Sequence, residues 1–554
     1  MDKNVSTKKV NWRGSLTAEV LIISDFPTHE EEVKQTLLDC DGGLLLEKSL
    51  PIPISDCLLA SMSQYNPANN DFNYLEGTES LRQGIKQIKD FINYSKTLKL
   101  IILLGPRALY TFFGESDIYK WRGSPLFYST QDGRRVKMMA THHPTSEVLS
   151  VASLYPIFSF DIQKAIEYLE GKERIYNDRF TITADPLEQH NLVPEIIAAS
   201  HAGYITCDIE TRRNDLGLLC VGFGLSAERA ICFVCTSDST LNILKELFPK
   251  LGKVAYHNCL FDIPVLRFTK DTPAGPCSFD TMVAQHVAEP ELPKGLDFLC
   301  STRTWRPCYW ADISFDEDSK SWSDKAAKRD SLYTYNCLDC VVTYEAMESF
   351  IEEGMESNKT FQYEMSMLEV SMHIGSTGFL VDTERRDILY KAQKEKWLYD
   401  YTTLGALAGR IVNIASPVQV KNYLYTELEL PPRKNRKGGI TTDADALVSL
   451  IGFIKEKING LKTAEAKAKW GRKLAAVRLI LALRGYEKMI SSYLDVTISN
   501  DGRIRSTWKV TGTETGRWSC ALWIDRTGFN AQTLPRESIE VEMPDLVEAS
   551  NTGG

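Results

Sequence analysis

The clearest chemical signal in the sequence is a set of carboxylates at three separated places. In YITCDIET, residues 204–211, an apolar run precedes Asp208 and Glu210. Side chains two apart on a strand share a face, so both carboxylates point the same way. Such a pair repels unless a cation lies between its members, and hard divalent ions such as Mg²⁺ take oxygen ligands while keeping water positions open for phosphate chemistry. A lone D-x-E is common on surface strands and decides nothing. Asp262, in NCLFD, lies at an expected strand-to-helix junction among aromatic and aliphatic residues, where burying a carboxylate without a partner is costly. Tyr335 and Asp339 are four residues apart in SLYTYNCLDCVVTYEAM and share one face of an expected helix. The order D-x-E, N-x-x-x-D, Y-x-x-x-D within one α/β stretch is hard to obtain by chance.

These residues need a scaffold, and 554 residues give a prior of three to four domains at about 150 residues each. With 43% hydrophobic and 25% charged residues, disordered and collagen-like classes are excluded. Short apolar runs (AEVLIISDF, LKLIILLG, RVKMMATHHP) alternate with helical stretches such as SLRQGIKQIKDFINYS, which predicts a first α/β domain over 1–175. The charged, irregular YLEGKERIYNDRF marks its end, and a second α/β domain follows over 178–352. Helical periodicity dominates 353–536, interrupted by LPPRKNRKGG, expected to be a mobile loop. The acidic tail 537–554 shows no period. No stretch approaches the ~20 apolar residues of a membrane span, and MDKNVSTKKVNWRGSL lacks a secretory apolar block, so a cytoplasmic protein is expected. Thirteen scattered cysteines, an odd number, read as reduced thiols. The net charge is −9, yet residues 411–510 carry 18 Lys/Arg against 9 Asp/Glu, which suggests one phosphate-facing segment on an otherwise acidic chain.

Together with Asp280-Thr281 and PELPKGLDFL, the acidic constellation resembles the DEDDy proofreading exonucleases, specifically the 3′-to-5′ exonuclease domain of family A DNA polymerases, over residues 178–352. The resemblance implies a ribonuclease H-like domain and two Mg²⁺ or Mn²⁺ ions. Asp208 would bridge both ions, Glu210 and Asp339 would bind the one carrying the attacking water, Asp262 would support the second, and Tyr335 would orient the water. Further along, GFLVD, SPVQVKNYL, TTDADAL and RLILALRGYEKMISSYL, followed by GRIRSTWKVTGTETGRWSC and FNAQTLPR, resemble the thumb and first palm segment of family A polymerases. On that resemblance Thr513, Thr515, Gly516, Arg517, Ser519, Asn530, Gln532 and Pro535 match the primer-template-contacting run. Arg517 offers a planar fork for phosphate oxygens. Lys467, Lys469, Arg472, Lys473 and Arg478 would grip the backbone without regard to sequence.

The tail after Arg536 lacks the D-x-S-x-x-E-L-R and H-D-E type runs of the family, so the expectation is a chain without polymerase palm and fingers. They would come from a separate chain, or the tail would be read-through from an intervening sequence. The N-terminal segments LIISDFPTHEEE, LIILLGPRALYTFFGES, YKWRG and MMATHHPTSEVL look similar to the uracil-DNA glycosylase superfamily, in a sandwich with Asp25 at the water-activating position and His143-Pro144-Thr145 as the late DNA-approaching loop. The missing G-x-P-F-like stretch and paired cysteines favour a degenerate DNA-binding or structural domain over an active glycosylase. The function expected is proofreading of single-stranded 3′ ends beside a primer-template duplex, in a bacteriophage polymerase acting in the host bacterial cytoplasm. The alternatives are a non-catalytic DNA-binding subunit with a vestigial exonuclease site, or a glycosylase-like repair protein.

Overall fold

The computed structural model describes residues 5–212, 214–309, 326–435 and 438–534. Pro535, Arg536 and the acidic tail at 537–554 lie outside the described residues. The chain forms two compact units, Met1–Val370 with Val510–Trp518, and Ser371–Lys509 with Ser519–Gly554.

The first unit holds two large sheets beside a two-stranded ribbon of Val5–Lys9 with Tyr65–Pro67. Strands β1 (Val20–Ser24), β2 (Cys57–Ser61), β3 (Leu100–Leu104), β4 (Leu126–Ser129) and β5 (Arg135–Thr141) are ordered β2-β1-β3-β5-β4. All neighbours are parallel except the edge pair β4 and β5. Every residue of VLIIS and LIILL is buried, as continuous apolar strands are when helices cover both faces. Helix α1 (Glu79–Tyr94), capped by the Thr78 hydroxyl, supplies Leu81, Ile88 and Ile92 to the core. Helix α2 (Leu154–Leu169) packs on β3 and β5.

The second sheet carries the carboxylates. Strands β6 (Arg179–Thr183), β7 (Tyr204–Thr211), β8 (Leu218–Ser226), β9 (Arg229–Val234), β10 (Lys253–Tyr256) and β11 (Cys277–Asp280) are ordered β11-β10-β7-β8-β9-β6. It is a mixed sheet in which β8 runs antiparallel to both neighbours. Helices α3 (Cys259–Pro264), α4 (Thr281–Ala288), α5 (Leu296–Arg303) and α6 (Ala326–Glu352) follow. Helix α6 lies across β7, β8 and β9. That approach needs glycine: a Cβ on Gly222 of β8 would sit 2.3 Å from Asn336 Oδ1. All thirteen cysteines are free thiols; Cys337, Cys340 and Val341 of α6 pack against Cys220 of β8 and Ala230 and Cys232 of β9.

A buried polar clasp joins the two sheets' domains. Arg122, 3% exposed, donates through Nε to Asp161 Oδ2 at 2.8 Å and through Nη2 to Asp161 Oδ1, while Thr141 Oγ1 donates to Oδ2 at 2.8 Å. Arg122 Nη1 also reaches Ser301 Oγ at 2.8 Å, on α5. Lys164 donates to the carbonyls of Ser301 and Thr304 at 2.6 and 2.7 Å, so a cation closes the C-terminal carbonyls of α5. Gly123, at φ +65°, leaves room for the contact: a Cβ there would lie 2.8 Å from Asp161 Oδ1.

The second unit is mainly helical. Helices α7 (Thr383–Ala408), α8 (Ala444–Gly460) and α9 (Ala464–Met489) begin at the side-chain caps Asp382, Asp443 and Thr463, the residue types whose oxygens satisfy orphan N–H groups. Leu404, Leu447, Leu450, Ile454, Val477, Ile480 and Leu483 form the core. The loop read as mobile pairs Arg433–Lys434 antiparallel with Ile440–Thr441, a short hairpin. Strands β12 (Ser506–Lys509) and β13 (Ser519–Leu522) are also antiparallel.

Candidate active site

Asp208 and Glu210 occupy one face of β7, and Asp339 comes to them from α6. One oxygen from each of the three lies within 4.8 Å of the others, a donor set that fits a hard divalent cation. The helix is held at the right height by Thr206 Oγ1, which donates to the Cys340 carbonyl at 2.8 Å, and by Asn336 Nδ2, which donates to Asp208 Oδ2 at 2.8 Å and to the Asp208 carbonyl at 3.3 Å. Asp262 stands outside that triad. Its Oδ1 accepts the Ile209 N–H at 3.1 Å, which ties α3 to the strand between the two acids. The tie depends on Asp280, whose carboxylate accepts N–H groups of Asn258 and Cys259 at the start of α3 and of Met282 and Val283 at the start of α4, at 2.7–3.3 Å. Cys259, Cys277 and Asp280 also bring donor atoms within 4.8 Å, but those four N–H bonds already engage the carboxylate.

Tyr335, one turn before Asp339, hydrogen-bonds that carboxylate. A second tyrosine does the same: Tyr309 donates to Asp339 Oδ1 at 2.5 Å, its ring 5.5 Å from that of Tyr335. Asn336 and Tyr309 carry no sequence signal. Asn336 is simply the next residue after Tyr335, and Tyr309 lies in a coil after α5, outside any helix or strand.

Burial is the largest influence on all four acids. It pushes Asp208 up to about 7 against the opposing Asn336 hydrogen bond. Glu210 is raised well above its usual range by burial and then by Asp208, Asp339 and Asp262. Asp262 and Asp339 are raised by burial and then by Asp208. Carboxylates of the unfolded chain release protons near pH 4, whereas the folded site retains them to higher pH. The folded state therefore binds more protons in that interval, and stability falls as pH rises from about 4 through 7. A divalent ion held by these acids would remove this cost by compensating their charge. Thermal unfolding should accordingly show a larger Mn²⁺-induced rise in Tm at about pH 8 than at about pH 5; an equal rise at both would refute the account.

The other sequence candidates fare differently. Thr513 Oγ1 donates to the Arg517 carbonyl at 2.6 Å and lies 3.4 Å from Thr515 Oγ1, forming a tight loop around Gly516 (φ +73°) with Thr515 and Arg517 exposed. Ser519 begins β13. Asn530 and Gln532, expected at DNA, have oxygens engaged by the fold: Asn530 Oδ1 accepts the Gln532 N–H, and Gln532 Oε1 accepts the Cys520 N–H, each at 3.0 Å. Lys467, Lys469, Arg472 and Arg478 are exposed on α9. Lys473 is not: it donates to the Leu428 carbonyl over the Trp470 ring. In the first domain Asp25, 4% exposed, follows β1 and accepts from Arg107 at 3.3 Å. His143 follows β5, its Nδ1 taken by the N–H groups of Thr145 and Ser146. Burial raises Asp25 and lowers His143.

Residues 187–354 match the family described as 3′-5′ exonuclease, and residues 397–538 match DNA polymerase family A. The chain carries the domain architecture of a family A DNA polymerase. It is 34% identical over 161 residues to DNA polymerase I of Caldicellulosiruptor bescii, covering 28% of this chain and 16% of that one. It is 24% identical over 307 residues to DNA polymerase I of Treponema pallidum, covering 51% and 26%. The chain thus spans 16% and 26% of the length of these relatives. A solved structure of the POL domain of Pol1 from M. smegmatis in complex with DNA primer-template and dNTP is similar at TM-score 0.44 and 18% identity, over 65% of this chain and 57% of that one. The polymerase match overturns the expectation that palm and fingers are absent and supplied elsewhere: polymerase-domain sequence is present at 397–538. That expectation rested on two runs missing from a short tail, whereas the match is carried by the helical region and hairpins before it. No helix among the described residues is long and apolar enough to cross a membrane.

Proposed function

We propose that this chain is a metal-dependent 3′-to-5′ proofreading exonuclease of a family A DNA polymerase acting in DNA replication. The observation that carries the reading is the convergence of Asp208, Glu210 and Asp339 within 4.8 Å beside Asp262. Two divalent ions, when bound, stabilise the entering and leaving oxygens of a phosphodiester. Asp208, Glu210 and Asp339 would hold them, with Asp262 supporting the second. Asn336 keeps Asp208 turned into the site. The Tyr335 hydroxyl, moving from Asp339, would orient the attacking water. We divide the chain functionally at 1–175, 178–352 and 353–536, with a ribonuclease H-like exonuclease in the middle.

The partner is DNA, as a single-stranded 3′ end at the acids and as primer-template duplex along the polymerase segment. Arg517, Thr513, Thr515 and Ser519 would meet backbone phosphates, with Lys467, Lys469 and Arg472 adding a grip that weakens with salt. Bacteriophage origin and action in the host cytoplasm are part of this reading. The direct test is release of mononucleotides from 3′-labelled single-stranded DNA by the purified chain in Mg²⁺, stopped by a chelator. Chelator-resistant release, or none, would reject it.

A second reading concerns the first domain. Asp25 and His143 follow the carboxyl ends of β1 and β5, parallel strands on either side of β3, where open α/β sheets place ligands. This supports a glycosylase-like domain. Asp25 is nearly sealed and held by Arg107, which favours a binding or structural role over base excision. The full chain should leave uracil-containing duplex DNA free of alkali-labile sites. Scission that disappears in Asp25→Asn would reverse that assignment.

A further inference from the structure

Two tyrosines share one carboxylate in this site, and the proposed reaction cannot use them alike. Asp339, 7% exposed, accepts from Tyr309 at Oδ1 and also from Tyr335. If Tyr335 turns toward water, it leaves Asp339, and only one described donor remains to fix the carboxylate's rotation. We propose that Tyr309 is the positioning residue that orients Asp339 for divalent-ion binding, holding Oδ1 by its hydroxyl while the other oxygen faces the ion. This rests on the metal reading of the site and assigns the two hydroxyls separate tasks. The arrangement is that of an outer hydrogen-bond donor fixing a metal ligand. Tyr309 reaches the acid from the coil that follows α5, and α5 is itself pinned by Arg122 and Lys164. The ring lies against that of Tyr335, so removing the hydroxyl alone leaves the packing in place.

The test uses the full chain and Mn²⁺ alone, with bound ion measured by calorimetry and by loss of the free-ion paramagnetic resonance signal. Tyr309→Phe should weaken Mn²⁺ binding about 10–100-fold, and Tyr335→Phe should stay within about threefold of the parent. In nuclease assays, raising Mn²⁺ should restore the rate of Tyr309→Phe but not that of Tyr335→Phe. Parental affinity in Tyr309→Phe overturns the proposal, and tighter binding there would mean that the hydroxyl competes with the ion. Asp208→Ala separates the two levels of the argument. If it too binds Mn²⁺ normally, the metal reading falls; if it loses Mn²⁺ while Tyr309→Phe does not, only the role of Tyr309 falls.

Discussion

Replacing Asp208 and Glu210 together with alanine should lower nucleotide release from single-stranded DNA by on the order of 10³-fold or more, because the ion-bound stabilisation removed is several kcal/mol and each 1.36 kcal/mol is tenfold in rate. Two features make this loss separable from a damaged fold. Both acids are held in a site that opposes their ionisation, burial acting first and neighbouring acids adding to it for Glu210. Alanine relieves that opposition, so the thermal midpoint without divalent ions should stay level or rise. The cations proposed to carry DNA lie elsewhere, on α9 and in the 513–517 loop, so affinity for the same DNA should change by less than about threefold. Residual chelator-sensitive hydrolysis near the parental rate would show that the chemistry is done by other residues.

The parts of this site that could be read from the sequence are those whose spacing matches a regular element. Asp208 and Glu210 fall two apart on a strand, and Tyr335 and Asp339 fall four apart on a helix, so each pair is already assembled by backbone geometry. The same holds for the apolar runs that became β1, β3 and β5. What pattern reading could not reach are contacts made across elements. Asn336 matters because β8 has glycine at 222, in register with Asp208. Asp280 matters because its carboxylate caps two helices at once, which no single motif displays. Charge alone misled at Lys473: a lysine on a basic helix looks phosphate-facing, yet its partner is a backbone carbonyl 45 residues away in sequence. The apparent absence of palm and fingers misled for a related reason, since missing short motifs in a tail were given more weight than the pattern of the helices before it.

The clasp between the first domain and the exonuclease gives the largest expected loss of stability. Arg122→Ala should destabilise the first unit by about 3–5 kcal/mol, the usual consequence of removing one partner from a buried ion pair. Asp161, 1% exposed, would keep only the Thr141 hydroxyl among its described donors, and Ser301 would lose its guanidinium donor. Both groups are buried, Asp161 at 1% and Ser301 at 3% exposure, so neither reaches bulk water where it stands. The effect comes from the stranded carboxylate and not from lost attraction as such, and that distinction can be measured. Arg122→Met combined with Asp161→Leu removes both charges while keeping volume, and should be more stable than either single substitution. Urea unfolding followed by fluorescence would report both, and a double variant as unstable as the sum of its parts would mean that the charges themselves hold the domains together. The consequence reaches the active site through α5. With Arg122 gone, that helix keeps Lys164 at its carbonyl end but loses the bond to Ser301, and the coil leading to Tyr309 starts from a less fixed point. Mn²⁺ affinity should therefore fall in Arg122→Ala, while staying nearer the parent in Arg122→Lys, which retains a donor near Ser301.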